Sequence, residues 1–305
     1  MLAATLLAVG SAFVHAAWNL LIKTSDDRGL AAWGQFLAAG LLSAVGLLIL
    51  GGPGTEALPY LAATGVVHVA YIECLVAAYT YGDFSLSYPL ARGGGAVLAA
   101  LGSVIFLGDH LPLPAWIAIS IAGAGLISLR AGRGVPAADD VVLGTLGPGD
   151  AAPGAAAAAR TGERWALIFA LSTAAFIATY TLIDSAGSRA SIDGVSYGFA
   201  SVASASLTIT VINLLRPARR AKVGRLRDDW PRHLAGGLGT TVAYTMVLVA
   251  VRQAPVGYVT MLRESSVVIG ALVGWLVLKE SLGPRRLASS AVILTGLILL
   301  VAVGR

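Results

Sequence analysis

The sequence predicts an all-α membrane protein of ten transmembrane helices, arranged as two inverted five-helix repeats, and three observations lead there. Of 305 residues, 57% are hydrophobic and 12% charged, with a mean hydropathy of +0.80. Soluble domains carry about 25% charged residues, so lipid is the solvent for most of this chain. Ten apolar segments of about spanning length follow one another, five on each side of a polar interruption. One gap-free internal match relates the fourth segment to the ninth.

The first five segments cover residues 2–22, 30–50, 59–80, 85–107 and 114–129; the second five cover 164–184, 195–215, 231–251, 256–278 and 285–303. Pro59, Pro114, Pro231 and Pro284 lie at or just before span starts, where the missing N–H would have no intrahelical partner anyway. Between the halves, residues 131–163 are Ala, Gly, Pro and Asp with almost no large apolar side chain, including the run Gly154 to Ala159. That stretch reads as a flexible linker, which leaves repeat units at 1–130 and 164–305.

The internal match sets Tyr88–Leu111 over Val259–Leu282. Arg92 falls on Arg263, Leu101 on Leu272, Leu107 on Leu278 and Asp109 on Glu280. Charges are rare in spans, so a matched arginine and a matched acid carry more weight than matched leucines. With an odd number of spans per half, the second repeat enters the membrane from the opposite side. Inverted repeats allow two related packings of similar energy, one open to each face.

Lys and Arg fall mostly on one side. The loops after spans 1, 5, 7 and 9 hold nearly all of them, against only Arg189, Arg252 and Arg305 on the other side. The positive-inside rule then puts both termini outside and the linker in the cytoplasm of a bacterial inner membrane. The same bias accounts for the net charge of +5 without a nucleic-acid partner. The basic stretch from Arg216 to Arg227 reads as a loop attracted to anionic lipid. Met1 to Ala12 lacks a basic n-region, so the first apolar run reads as a span and not as a cleaved leader. A single cysteine, Cys74, excludes an intramolecular disulfide, and four scattered histidines predict no metal site. No P-loop, H-E-x-x-H or G-x-S-x-G is present, which argues against an enzyme and against ATP-driven work.

Four ionisable residues fall inside spans: Glu73 in the third, Arg92 in the fourth, Arg263 and Glu264 in the ninth. Such residues are costly in lipid and are functional hypotheses by default. One reading makes them structural ion pairs between the halves. The other places Arg92 and Arg263 near the centre of the inverted repeat, where their guanidinium forks match a carboxylate or phosphoryl group. Glu73 or Glu264 would then bind a proton or a cation and couple it to the substrate.

Around these, His15, Trp18 and Asn19 share one face of the first span, as interhelical hydrogen-bonding partners or as a cavity wall. His68, Tyr71, Leu75 and Tyr79 form a stripe on the third, and Tyr88 lies one turn before Arg92. Pro89 and Gly93 to Gly95 predict a break or kink beside Arg92. Gly270 and Gly274, which fall on Ala99 and Ser103, predict close packing of the ninth span on the fourth.

His15-Ala16-Ala17-Trp18-Asn19, the stretch from Gly82 through Ser85-Leu86-Ser87-Tyr88-Pro89 to Arg92-Gly93, and Leu262-Arg263-Glu264-Ser265-Ser266 with Leu278-Lys279-Glu280 resemble EamA-type members of the drug/metabolite transporter superfamily. The resemblance covers nearly the whole chain. It implies ten spans from a duplicated five-span unit, no bound cofactor, and transport, usually outward, of small metabolites or drugs. On the symmetric placement of the two arginines, the substrate-binding set would be Arg92, Arg263, Tyr88, Trp18, Asn19 and His15, with membrane lipids and a coupling proton or ion as further partners. Where many relatives have Gly-Glu after the fourth helix, this chain has Gly108-Asp109. Glu73 and His68 match no family-wide position, so their reading rests on physical grounds alone. A flippase for a lipid-linked substrate and a membrane scaffold without turnover are the alternatives.

Overall fold

The computed structural model describes residues 1–23, 25–81, 84–128, 153–276 and 284–303, and every regular element among them is helical. In chain order these are α1 (Leu2–Lys23), α2 (Arg28–Leu50), α3 (Leu58–Tyr81), α4 (Phe84–Phe106), α5 (Leu113–Ser128), α6 (Pro153–Ala190), α7 (Gly194–Leu215), α8 (Trp230–Ala250), α9 (Val256–Arg263), α10 (Ser265–Leu276) and α11 (Pro284–Val303). Short turns at Thr55–Ala57, Pro217–Arg220 and Val223–Arg227 connect them. Among the described residues, five stretches are long and apolar enough to cross a membrane: Gly29–Leu50, Thr55–Ala78, Arg164–Ala190, Gly194–Leu215 and Trp230–Ala250. Leu2–Trp18, Leu90–Phe106, Leu113–Ser128 and Leu287–Val303 are shorter apolar helices.

Side-chain size sorts inside from outside. Leu48, Ile105, Phe106 and Ile298 are exposed, as a lipid-facing surface requires, whereas Ala8, Ala12, Ala38, Ala39, Ala118 and Ala122 are completely buried. Association in lipid depends on close backbone approach through such small residues. A Cβ on Gly237 would lie 2.7 Å from the backbone nitrogen of Ala39. Helix starts carry their own caps: Asp27 accepts from the Leu30 N–H at 3.0 Å, and Asp193 accepts from the Val195 and Ser196 N–H groups at 2.8 Å each.

The helices of the two halves interleave. α1 packs on α8 and α10, α2 on α7 and α8, α3 on α6 and α7, α4 on α6 and α9, and α5 on α11. Contacts within a half are far sparser, so the core is shared between them.

Two expectations need correction. Helix α6 begins at Pro153, inside the stretch read as linker. Its Ala155 to Ala159 run is the strongest helix-forming composition available, which hydropathy windows do not weigh. Residues 131–152 of that stretch lie outside the described residues. Helix α4 runs unbroken past Arg92, and the break lies instead at Glu264, between α9 and α10. The three glycines of α4 are packing surface: a Cβ on Gly95 would lie 2.6 Å from Ile177 Cγ2, and one on Gly93 would lie 3.0 Å from Leu126 Cβ. They seat α6 and α5 against α4, and the helical hydrogen bonds survive.

Polar contacts gather at the two ends of the bundle. At one end Arg189 meets Asp109 at 2.8 Å, and Asp109 also accepts from the Val256 N–H at 2.6 Å. Arg189 Nε donates to the Val251 carbonyl at 2.9 Å, Arg252 Nη1 donates to the carbonyls of Ser188 and Ser191, and the Ile192 N–H donates to the Pro53 carbonyl at 3.0 Å. At the basic end, Lys222 pairs with Asp27 at 2.8 Å, and Arg232 donates to the Leu21 carbonyl at 2.7 Å.

Candidate functional site

Between the two ends lies a buried cluster of charges contributed by both halves. Arg92 of α4 donates from Nη2 to Glu264 Oε1 at 2.9 Å, and both residues are under 10% exposed. Glu264 sits at the helix break. Its N–H bonds the Met261 carbonyl at 3.0 Å and its carbonyl accepts from the Val267 N–H at 3.0 Å. These tight turns end α9 and start α10, so Glu264 and its neighbour Arg263 project from one point. The Arg263 guanidinium carbon lies 5.7 Å from the centroid of the Tyr244 ring of α8, within cation–π range. Its Nη2 lies 3.4 Å from His15 Nδ1, and His15 packs edge-on against Trp18 at 4.7 Å.

Buried polar atoms usually find hydrogen-bond partners. Here Arg263 Nε, Glu264 Oε2, the Ser265 and Ser266 hydroxyls and Trp18 Nε1 are buried without one among the described residues. The first four, a cationic donor, a carboxylate oxygen and two hydroxyls, belong to consecutive residues at the helix break, and the indole N–H is on Trp18, which packs on His15 beside Arg263. Such a set can bind a molecule that carries both acceptors and donors.

A second buried carboxylate adjoins this one. Asp184 of α6 is fully buried and takes four hydroxyl hydrogen bonds, two on each oxygen. Tyr197 and Ser201 of α7 donate to Oδ1 at 3.0 Å each; Thr64 of α3 and Tyr244 of α8 donate to Oδ2 at 2.9 and 2.5 Å. A carboxylate has about four lone-pair sites, and here all are filled. Thr64 in turn touches His68, whose ring stacks on Tyr180 at 4.3 Å. Tyr244 therefore touches both charge centres, with its face under Arg263 and its hydroxyl on Asp184.

Of the residues singled out from sequence, Arg92, Arg263, Glu264, His15 and Trp18 come together at this site. The side chains of Tyr88, Asn19, Gly270 and Gly274 lie outside the described ones. Glu73 does not belong to the interior: its side chain is about one-third exposed and pairs with Arg216 at 2.7 Å and Arg219 at 3.2 Å, just beyond α7. Its place on α3 turns it toward the basic end and away from the charge cluster. Asp184 was missed. It is the last residue of the sixth apolar segment, whereas α6 continues to Ala190. The continuing helix and the hydroxyl-rich seventh segment were the available signals.

A cavity of about 380 Å³ lies elsewhere, at the end of α7, lined by Leu214, Leu215, Pro217, Arg220 and Ala221. It touches none of the cluster. Among the described residues, no group of His, Cys, Asp and Glu is placed to hold a metal ion.

Comparison with known proteins gives a family match over the second half of the chain and a fold for the whole of it. Residues 164–302 match the EamA-like transporter family, which belongs to the drug/metabolite transporter superfamily. No curated protein matches the chain. A solved crystal structure superposes with a TM-score of 0.72 over 99% of this chain and 98% of its own, at 16% identity. At that identity the likeness speaks for the fold alone.

Proposed function

We propose that this chain, whose residues 164–302 match the EamA-like transporter family, is a secondary transporter for a small polar metabolite bearing an anionic or zwitterionic head. The observation that carries the reading is the helix break at Glu264. Arg92 from the first half is hydrogen-bonded there to Glu264 from the second, beside a donor, an acceptor and hydroxyls that no group among the described residues satisfies. A buried ion pair serving packing alone would call for its remaining lone pairs to be met from within the protein.

Alternating access between two inverted five-helix halves fits the packing. Mapping α1–α5 onto α6–α11 turns the α1–α8 contact into α6–α3, the α4–α6 contact into the contact of α9 and α10 with α1, and leaves α2–α7 and α5–α11 unchanged. Exchange of halves therefore preserves the pattern of neighbours, as two related packings require. Broken helices at the repeat interface are where transporters of inverted design bind substrate. The contacts of Arg189, Arg252 and Asp109 close one end, which the Lys and Arg distribution assigns to the outside. The direction of net transport, outward, follows from the family resemblance.

The test compares the extracellular metabolite profile of cells expressing wild type, Arg263→Gln, Arg92→Gln with Glu264→Gln, or empty vector, at matched membrane abundance. Removing both members of the buried pair avoids leaving one charge uncompensated. Wild type alone should alter a carboxylated or phosphorylated solute. Variants that match wild type would assign the charges to structure, and wild type that matches empty vector across a broad panel would overturn the transport reading.

A further inference from the structure

We propose that His68 is a proton-binding site of this protein, taking up its proton on Nε2 and holding the resulting charge against Asp184 through the Thr64 hydroxyl.

The hydrogen bonds fix the tautomer. His68 Nδ1 lies 2.9 Å from the Thr64 carbonyl oxygen and 3.0 Å from the Thr64 hydroxyl. A carbonyl only accepts, so Nδ1 carries the hydrogen. The Thr64 hydroxyl gives its own hydrogen to Asp184 Oδ2 and can only accept from the ring. The neutral imidazole is therefore held with its lone pair on Nε2. Uptake is the addition of one proton to that lone pair. Imidazole becomes imidazolium, Asp184 stays a carboxylate, and no bond between heavy atoms changes.

The ring is buried, and groups from several helices face it. From α6, Tyr180 stacks on the ring and Asp184 lies two hydrogen bonds away. Tyr71, on α3 with His68, and Tyr244 of α8 meet the ring edge-on at 6.2 and 6.3 Å, and Tyr197 and Ser201 of α7 bond Asp184. Among these groups Asp184 is the acid, and Arg263 of α9 supplies the opposing positive charge. An anionic group bound at Arg263 would relieve that opposition. By reciprocity, whatever it adds to proton affinity the proton adds to its own. This coupling to cargo rests on the transport reading; the proton site itself does not.

The experiment titrates full-length protein in lipid nanodiscs, labelled with ¹⁵N-histidine, by NMR from pH 9 to pH 5, with the proton itself as probe. The chain has four histidines, and the His68 signals are those lost in His68→Gln. At the alkaline limit the expected pattern is Nδ1–H, with Nε2 protonating as pH falls. Asp184→Asn should weaken proton affinity about tenfold or more. Thr64→Val, which leaves Asp184 and its other three donors in place, should weaken it in the same direction. An Nε2–H tautomer at high pH, absence of any titration in wild type, or a midpoint that Thr64→Val leaves unchanged would overturn the proposal. No substrate enters the measurement, so its failure would leave the transport reading standing, and a failed metabolite assay would leave the titration standing.

Discussion

Asp109 and Arg189 meet at 2.8 Å across the two halves of the chain, and the same carboxylate caps α9 by accepting from the Val256 N–H. One side chain thus ties α6 to the end of α4 and anchors a helix of eight residues, about 12 Å long, whose far end carries Arg263. Asp109→Asn retains an acceptor for Val256 and loses the charge. Its expected cost is about 1–3 kcal/mol of unfolding free energy. In a double-mutant cycle with Arg189→Gln, measured by denaturation in detergent, the two effects should be less than additive.

Tyr244 has separable roles. Tyr244→Phe removes one of four donors from Asp184 and keeps the ring under Arg263, so it should cost about 1.5–3 kcal/mol of stability, the range for a hydrogen bond to a charged group. Tyr244→Ala should cost more, because the cation–π contact and the ring's burial go with it. Thermal unfolding of the two purified variants distinguishes the contributions.

Gly257 lies where α9 crosses α4. A Cβ there would sit 2.7 Å from Ala100 Cβ and 2.9 Å from Leu111 Cδ1. Gly257→Ala should destabilise by about 1–3 kcal/mol, as overpacking does. Adding Ala100→Gly should recover part of the loss, read as the melting temperature of each variant. Recovery absent in the double variant would place the strain elsewhere.

The basic end has its own pH dependence. Lys222, hydrogen-bonded to Asp27, and the Leu30 N–H at the start of α2 hold the Asp27 carboxyl below its ordinary value of 3.8. The stabilisation from this group is present above that ordinary value and is lost as pH falls through the lowered one. The melting-temperature difference between wild type and Asp27→Asn should therefore be steady from pH 7 to pH 5 and shrink as the solution is acidified below about pH 4.

The sequence made the helix positions legible because hydropathy and proline placement report directly on what lipid and helix starts demand. Span three, with Pro59 at its start, and spans two and seven, on hydropathy alone, match their helices to within a few residues. Arg92, Arg263 and Glu264 were legible because charge is rare in lipid. Asp184 was not, since its partners Thr64, Tyr197, Ser201 and Tyr244 are uncharged and come from three other helices; nothing in a single chain links them. The break at Glu264 was also hidden. It has neither Pro nor Gly beside it and arises from tight hydrogen bonding around the glutamate. The Gly93 to Gly95 run carried the wrong signal, because small size serves close packing as readily as it serves flexibility.

The interleaving of the halves bears on how the protein is made. During synthesis α1 to α5 leave the ribosome long before α6, α8 and α11, the helices on which α1, α3 and α5 chiefly rest. The early product must wait in the bilayer as loosely associated helices, and its tertiary structure forms only when the later segments arrive. Biogenesis is then late and cooperative, and two separately encoded fragments divided within residues 131–152 have everything they need to assemble by finding one another in the membrane.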